Sequence, residues 1–74
     1  MEHVEHYFAL PWTVQGRWVS EDEGYYLITI EEMPGFSVVG DTRAEAERLF
    51  PDVLRDYLRA YIESGQKPPV PVGV

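Results

Sequence analysis

The chain has 74 residues, no cysteine and a formal net charge of −7. A domain of this length buries only roughly 60% of its unfolded surface, and without cysteine it has neither a disulfide framework nor a cysteine-based zinc site to support its core. Because its acidic balance repels phosphate backbones, we expect no direct binding of nucleic acid and a better fit to a basic protein partner.

Residues 1–10 are predicted to form an N-terminal arm or an extension of the first strand. The segment carries Glu2 and Glu5 where a signal peptide would carry Lys or Arg, and its uncharged run is too short to span a bilayer. We therefore expect a cytoplasmic protein without a membrane segment. His3 and His6 have the spacing of metal ligands, but no third ligand is near, so we expect no metal site.

A β-hairpin is predicted next. Residues 12–19 alternate imperfectly between apolar and polar side chains, as in a half-buried strand. The acidic cluster 21–23 and Gly24 predict a tight turn in which the glycine takes a positive φ. Residues 25–30 are β-branched and aromatic, which favours a second strand.

A third strand follows a second turn. Pro34 and Gly35 suit the central positions of a type II turn, and residues 36–39 return as a short strand. Three strands joined in series form an antiparallel meander. One face of such a sheet can be covered by a single helix.

The sequence after residue 41 has the features of a long helix. Thr42 and Glu45 form a capping box, and apolar residues recur at helical spacing from 46 to 62. Pro51 lies inside this pattern and costs on the order of 3 kcal/mol in a helix interior, so we expect one kinked helix or two abutting helices. Gly65 is suited to end the helix in the left-handed conformation.

These elements predict an α+β fold, with residues 1–74 as a single domain: a three-stranded antiparallel meander packed on one long, proline-kinked helix. The proline-rich tail 66–74 cannot be helical and could at most add a short edge strand. The apolar stripe of the helix widens towards its end, which implies a surface for self-association. The residues assigned to that surface are Tyr57, Leu58, Tyr61 and Ile62.

Four short motifs follow one another along the chain: Glu23-Gly24-Tyr25-Tyr26, Met33-Pro34-Gly35-Phe36, Gly40-Asp41-Thr42 with Glu45-Ala46, and Gly65 with Pro69. In this order and spacing the sequence resembles the HicB-like antitoxin domain over about residues 12–71. Two residues depart from the family pattern, namely Pro51 inside the helix and Phe36 where cysteine is commoner.

The resemblance implies a partial ribonuclease-H-like fold and a tendency to form dimers or larger oligomers. It also implies a function, because HicB-type proteins bind and neutralise HicA toxins, which are small basic ribonucleases that cleave mRNA. An acidic inhibitor facing a basic toxin fits charge complementarity. The C-terminal DNA-binding module of full HicB antitoxins is not part of the matched segment, so we expect no operator binding by this domain.

We expect the partner to contact acidic and aromatic side chains of the hairpin and the strand ends. These residues are Glu21, Asp22, Glu23, Tyr25, Glu31 and Glu32. A merely solvated turn is the alternative for the acidic cluster. The motif residues with an expected structural role are Gly24, Pro34, Gly35, Gly40, Asp41, Thr42, Glu45 and Gly65, and the aromatic residues expected in the core are Trp12, Trp18, Tyr26 and Phe36.

Two other functions are compatible with the sequence. One is an orphan homo-oligomeric structural or regulatory domain that has no toxin partner. The other is a magnesium-dependent nuclease that uses Glu31, Glu32 and Asp41 as metal ligands. We expect no enzyme and no cofactor, because Asp41 is accounted for by the start of the helix and so small a fold has little room for a substrate cleft.

Overall fold

A computed structural model describes residues 4–71. Its elements are α1 (Val4–Phe8), β1 (Val14–Val19), β2 (Tyr25–Ile30), β3 (Ser37–Gly40) and α2 (Arg43–Glu63). The strands form one antiparallel sheet in the order β1-β2-β3, and α2 packs on one face of it against β2 and β3. The predicted α+β fold, a three-stranded antiparallel meander on one long helix, is confirmed.

Both predicted turns form as the local sequence requires. In the hairpin turn the Gly24 N–H donates to the Glu21 carbonyl over 2.8 Å, and Gly24 has a φ of 86°. In the second turn the Phe36 N–H donates to the Met33 carbonyl over 3.0 Å. Gly35 there has a φ of 93°, the conformation that the third position of a type II turn needs.

The capping box predicted for α2 is present. The Thr42 hydroxyl accepts the backbone N–H of Glu45 over 3.1 Å, and the Glu45 carboxylate accepts the backbone N–H of Asp41 over 2.7 Å. Two N–H groups that lack partners within the helix are therefore satisfied by side chains. This fixes the residue at which α2 begins.

The helix continues through Pro51 as a single element, so the alternative of two abutting helices is wrong. Core residues lie on both sides of the proline, and Leu54 is only 1% exposed. Burial of about 1.5–3 kcal/mol per large apolar side chain offsets the cost of the proline. At the end of α2, Gly65 has a φ of 80° and the Gln66 N–H donates to the Tyr61 carbonyl over 3.0 Å, a Schellman motif.

The core fills the layer between sheet and helix. Even-numbered residues of β2 and β3 point towards α2, and the Phe36 ring contacts Tyr57 edge-on with ring centroids 5.0 Å apart. The buried core consists of Tyr7, Ile28, Ile30, Met33, Phe36, Val38, Ala46, Leu54 and Leu58.

The N-terminal segment differs from the prediction, since residues 4–8 form a helix instead of an arm or a strand extension. Contacts from elsewhere in the chain hold it: Arg55 bonds the Glu5 carboxylate over 2.7 Å and lies 4.2 Å from the centre of the Phe8 ring. The Trp12 indole N–H donates to the Tyr7 carbonyl over 3.0 Å. Residues 1–3, which include His3 of the suggested metal pair, lie outside the described residues.

One aromatic residue expected in the core lies at the surface. Phe36 is 2% exposed and Trp12 and Tyr26 pack against the core, but Trp18 is 51% exposed. Trp18 lies on β1 and faces the same side of the sheet as α2, yet α2 lies over β2 and β3. The prediction for Trp18 is therefore wrong because one helix does not cover three strands.

The C-terminal tail adds no strand within residues 66–71, where Pro68 and Pro71 are nonetheless buried. Residues 72–74, for which a short edge strand was also considered, lie outside the described residues. In the described part of the chain, neither helix combines the length and apolar character needed to cross a bilayer.

Candidate protein-binding surface

The sheet face opposite α2 is the face that carries the candidate site. Because side chains alternate along a strand, the odd-numbered residues of all three strands share it. We call this surface the open face; its residues are Gln15, Arg17, Val19, Tyr25, Leu27, Thr29, Ser37 and Val39. At its centre Val39 is 53% exposed and Leu27 is half-buried.

A shallow depression of about 610 Å³ lies at one end of the open face. Tyr25, Leu27 and Val39 supply apolar surface at its centre. Four carboxylates line the same depression and are called the acidic rim: Glu21, Asp22, Glu23 and Asp41. An apolar centre with a charged rim is the usual composition of a protein–protein interface.

The turn and the strand register bring the rim together. Tyr26 pairs with Gly40, so the end of β3 lies beside the start of β2 and Asp41 comes close to the hairpin loop. The loop is fixed by Trp18, whose ring packs on Gly24: a Cβ at Gly24 would lie 2.5 Å from the Trp18 Cζ2 atom. Exposed Trp18 therefore supports the loop that carries three of the rim carboxylates.

In the described part of the chain, no basic side chain forms a salt bridge with the rim carboxylates. By contrast, five salt bridges within residues 4–71 involve α2. The nearest basic residue on the open face is Arg17, which lies on the edge strand β1, opposite Leu27 of β2. An unpaired group of carboxylates beside apolar surface attracts cationic side chains from outside the molecule.

Glu31 and Glu32 were expected on the same surface, but the structure places them at the opposite end of β2. Six strand residues separate them from the rim, a distance of about 20 Å. The Glu32 carboxylate accepts the Thr13 hydroxyl over 2.6 Å and the Thr13 backbone N–H over 2.9 Å. These two bonds lower the pKa of Glu32 below its usual value, and the bond from the Thr13 hydroxyl has the larger effect. They also join the start of β1 to the second turn.

The residues predicted for self-association do not form one surface. Leu58 is 0% exposed and belongs to the core, so it is not a contact residue. Ile62 also packs against the core, and the Tyr57 hydroxyl donates to the Gly35 carbonyl over 2.9 Å. Only the rings of Tyr57 and Tyr61 border an apolar groove of about 540 Å³ on the flank of α2, together with Val53, Ala60 and the helix end.

The Gly40-Asp41-Thr42 motif has a structural explanation. A Cβ on Gly40 would lie 2.6 Å from the backbone nitrogen of Ala46, so glycine is needed for α2 to begin so close to β3. The backbone N–H of Asp41 is part of the cap while its side chain contributes to the acidic rim. Asp41 therefore combines a structural role with a place at the candidate site.

Sequence reasoning missed Leu27 and Val39, the apolar centre of the site. Their alternation with Ile28 and Val38 was visible, but both strands are apolar on both faces, so the sequence did not show which face α2 would cover. For the nuclease hypothesis, residues 4–71 bring together no group of three or more His, Cys, Asp or Glu side chains that could hold a metal ion.

Comparison with known proteins gives no match, either to a protein-family model, to a curated protein or to a solved structure. The geometry of the molecule therefore defines its class. It is a two-layer α+β domain whose sheet face opposite α2 has an apolar centre and an acidic rim.

Proposed function

We propose that this chain is a HicB-like, antitoxin-type binding module whose open face takes a small basic protein, of the HicA-type mRNA interferase class, and thereby blocks the toxin's RNA-binding surface. The observation that carries the proposal is the acidic rim beside Leu27 and Val39. A protein that binds RNA must present cationic side chains to phosphates, and the same side chains fit unpaired carboxylates.

The distribution of charge supports the choice of face. The helix α2 holds four arginines and five acidic residues and is nearly neutral, while the whole chain carries −7. Most of the negative charge therefore lies on the N-terminal segment, the loops and the sheet ends. Charge of this kind accelerates encounter with a basic partner and disfavours acidic or nucleic-acid competitors.

The arrangement of the motifs is a second line of support. The motifs that resemble the HicB-like domain occupy both turns of the meander and the start and end of α2. A partial ribonuclease-H-like classification is part of the same proposal and rests on this order of elements. Because its motif residues serve turns and caps, the domain would act by binding, with no chemistry of its own.

A direct test uses the product of any short basic reading frame that neighbours the gene. Titration calorimetry should show binding that weakens as NaCl rises from about 50 mM to about 500 mM, because exposed charges are screened over a Debye length. The chain should also inhibit RNA cleavage by that partner in proportion to occupancy. Tight binding without salt dependence would contradict the assignment to the acidic rim.

A charge reversal locates the binding face. Glu23→Lys on the rim should weaken binding about tenfold at low salt, mainly through slower association. Glu63→Lys is the matched control, since it makes the same charge change on an exposed residue at the end of α2. Equal effects of the two variants would mean that only net charge matters and that the open face is not the site.

The same titration with a basic partner distinguishes the proposed function from its alternative, a homo-oligomeric domain without a toxin. That alternative requires that no basic partner binds the open face at any salt concentration while the chain still associates with itself.

A further inference from the structure

We propose that the part of β1 that α2 leaves bare binds a basic amphipathic helix of another protein, one with an apolar middle and cationic ends. We call this surface the β1 strip; it consists of Val14, Gly16 and Trp18 on the α2 side of the sheet, together with the neighbouring ring of Tyr26. The open face lies on the other side of the sheet, so this inference does not rest on the proposed function.

The β1 strip is apolar and exposed. Val14 is 49% exposed and Trp18 is 51% exposed. Gly16 lies between them, and the Tyr26 ring fills the space that a side chain there would take: a Cβ on Gly16 would lie 2.5 Å from the Tyr26 hydroxyl oxygen. A row of aliphatic and aromatic surface therefore follows β1. Tryptophan and tyrosine are enriched among the residues that contribute most to binding at protein interfaces.

Helix α2 forms a wall along the β1 strip. A cleft of about 340 Å³ separates the two, and Arg43, Glu47 and Phe50 line it on the helix side. The Arg43 guanidinium bonds the Glu47 carboxylate over 2.9 Å, so the polar part of this wall is neutral. An apolar segment can therefore lie in the cleft without leaving an isolated charge buried against it.

The spacing of the elements favours a helix as the occupant. Because α2 contacts both β2 and β3, its axis lies between these strands and about 7 Å from β1 across the sheet. Packed helices lie about 8–10 Å apart, so a second helix beside α2 would lie over β1. The chain already uses this arrangement next to β1: α1 packs on α2, and the indole of Trp12, just before β1, bonds the Tyr7 carbonyl of α1.

The charges at both ends of the β1 strip favour a basic helix. The acidic cluster 21–23 lies at the Trp18 end, because the Trp18 ring packs on Gly24 of the same turn. Glu32 lies at the other end, where its carboxylate accepts the backbone N–H of Thr13, the residue before Val14, over 2.9 Å. Within residues 4–71 no salt bridge neutralises these carboxylates.

The length of β1 sets the spacing of the cations on the partner. Six strand residues span about 20 Å, which is the length of about 13 helical residues. The partner helix should therefore carry lysine or arginine at two places about 13 positions apart, with an apolar stripe between them. The same carboxylates disfavour an acidic segment, including a second copy of this chain with its charge of −7.

The test uses a synthetic helical peptide of about 16 residues, with leucine at every third or fourth position, alanine between, and paired lysines at each end. Titrated into the full chain at about 50 mM NaCl, it should bind at least tenfold more tightly than the same peptide with glutamates for lysines. The difference should shrink towards about 500 mM NaCl. Equal binding of the two peptides, or no binding of the lysine peptide up to about 1 mM, would overturn the proposal.

Two exposed valines locate the bound peptide. Val14→Gln should weaken binding of the lysine peptide about tenfold, because it removes apolar contact from the β1 strip. Val70→Gln is the matched control on the C-terminal tail, where Val70 is 44% exposed, and should leave binding unchanged. Equal effects of the two variants would contradict the assignment to β1. Val14 is not part of the open face, so this result leaves the proposed function untouched.

Nuclear magnetic resonance of the full chain gives a readout that does not depend on variants. The indole N–H of Trp18 and the amide of Gly16 should shift as the lysine peptide is added. The indole N–H of Trp12 is an internal reference that should shift least, because it is bonded within the chain over 3.0 Å. Shifts confined to the open face would place the peptide there and refute binding to the β1 strip.

Discussion

Replacing Gly40 by alanine tests whether the close approach of α2 to β3 sets the fold. A Cβ at this position would lie 2.6 Å from the Ala46 nitrogen and 3.1 Å from the Thr42 carbonyl oxygen, both of which are backbone atoms. Overpacking against a backbone that cannot rotate away costs about 1–3 kcal/mol. The reduced flexibility of the unfolded chain returns about 0.4–1 kcal/mol, so the expected net loss is about 1–2 kcal/mol.

That loss is large for this chain, whose total stability should be roughly 4–11 kcal/mol at 0.05–0.15 kcal/mol per residue. Thermal unfolding followed by circular dichroism should show Tm lower by about 4–16 °C. Gly16→Ala is the matched control, since its Cβ would meet the hydroxyl end of Tyr26, a side chain that can move. The reasoning is refuted if Gly40→Ala is no less stable than Gly16→Ala.

Two further substitutions test the core and the hydrogen bonds that join the start of β1 to the second turn. Leu58→Ala should lower the free energy of unfolding by about 2–5 kcal/mol, measured by urea denaturation. The reason is that Leu58 is 0% exposed, so truncation of its side chain leaves a cavity. Glu32, whose pKa in the folded protein is lowered by its bonds to Thr13, stabilises the fold above its unfolded pKa, and that contribution is lost as pH falls through the lowered value. The drop in Tm between about pH 6 and about pH 3 should therefore be smaller in Glu32→Gln than in the wild type.

The elements that sequence reasoning located well are those with local causes. Gly24 and Gly35 carry the positive φ that their turns require, and Thr42 with Glu45 forms the cap that starts α2. Each of these features depends on residues within five positions of one another. A single sequence contains that information, because the interacting groups are fixed by the chain itself.

The element that was missed has non-local causes. A helix of five residues is not stable alone, because the first turn fixes several dihedral angles for one hydrogen bond. Helix α1 is stabilised by Arg55, fifty residues away, which pairs with Glu5 and covers Phe8. It is also stabilised by the burial of Tyr7 in the core. No pattern within residues 1–10 predicts those contacts.

The candidate site was only half predictable for a related reason. The acidic cluster 21–23 was visible in the sequence, and the structure adds Asp41 through the pairing of β2 with β3. Glu31 and Glu32 belong to the same charge class but lie at the far end of the strand. The sequence gives the sign of a side chain's charge, whereas the end of the sheet at which that side chain lies depends on strand register and on the positions of the turns.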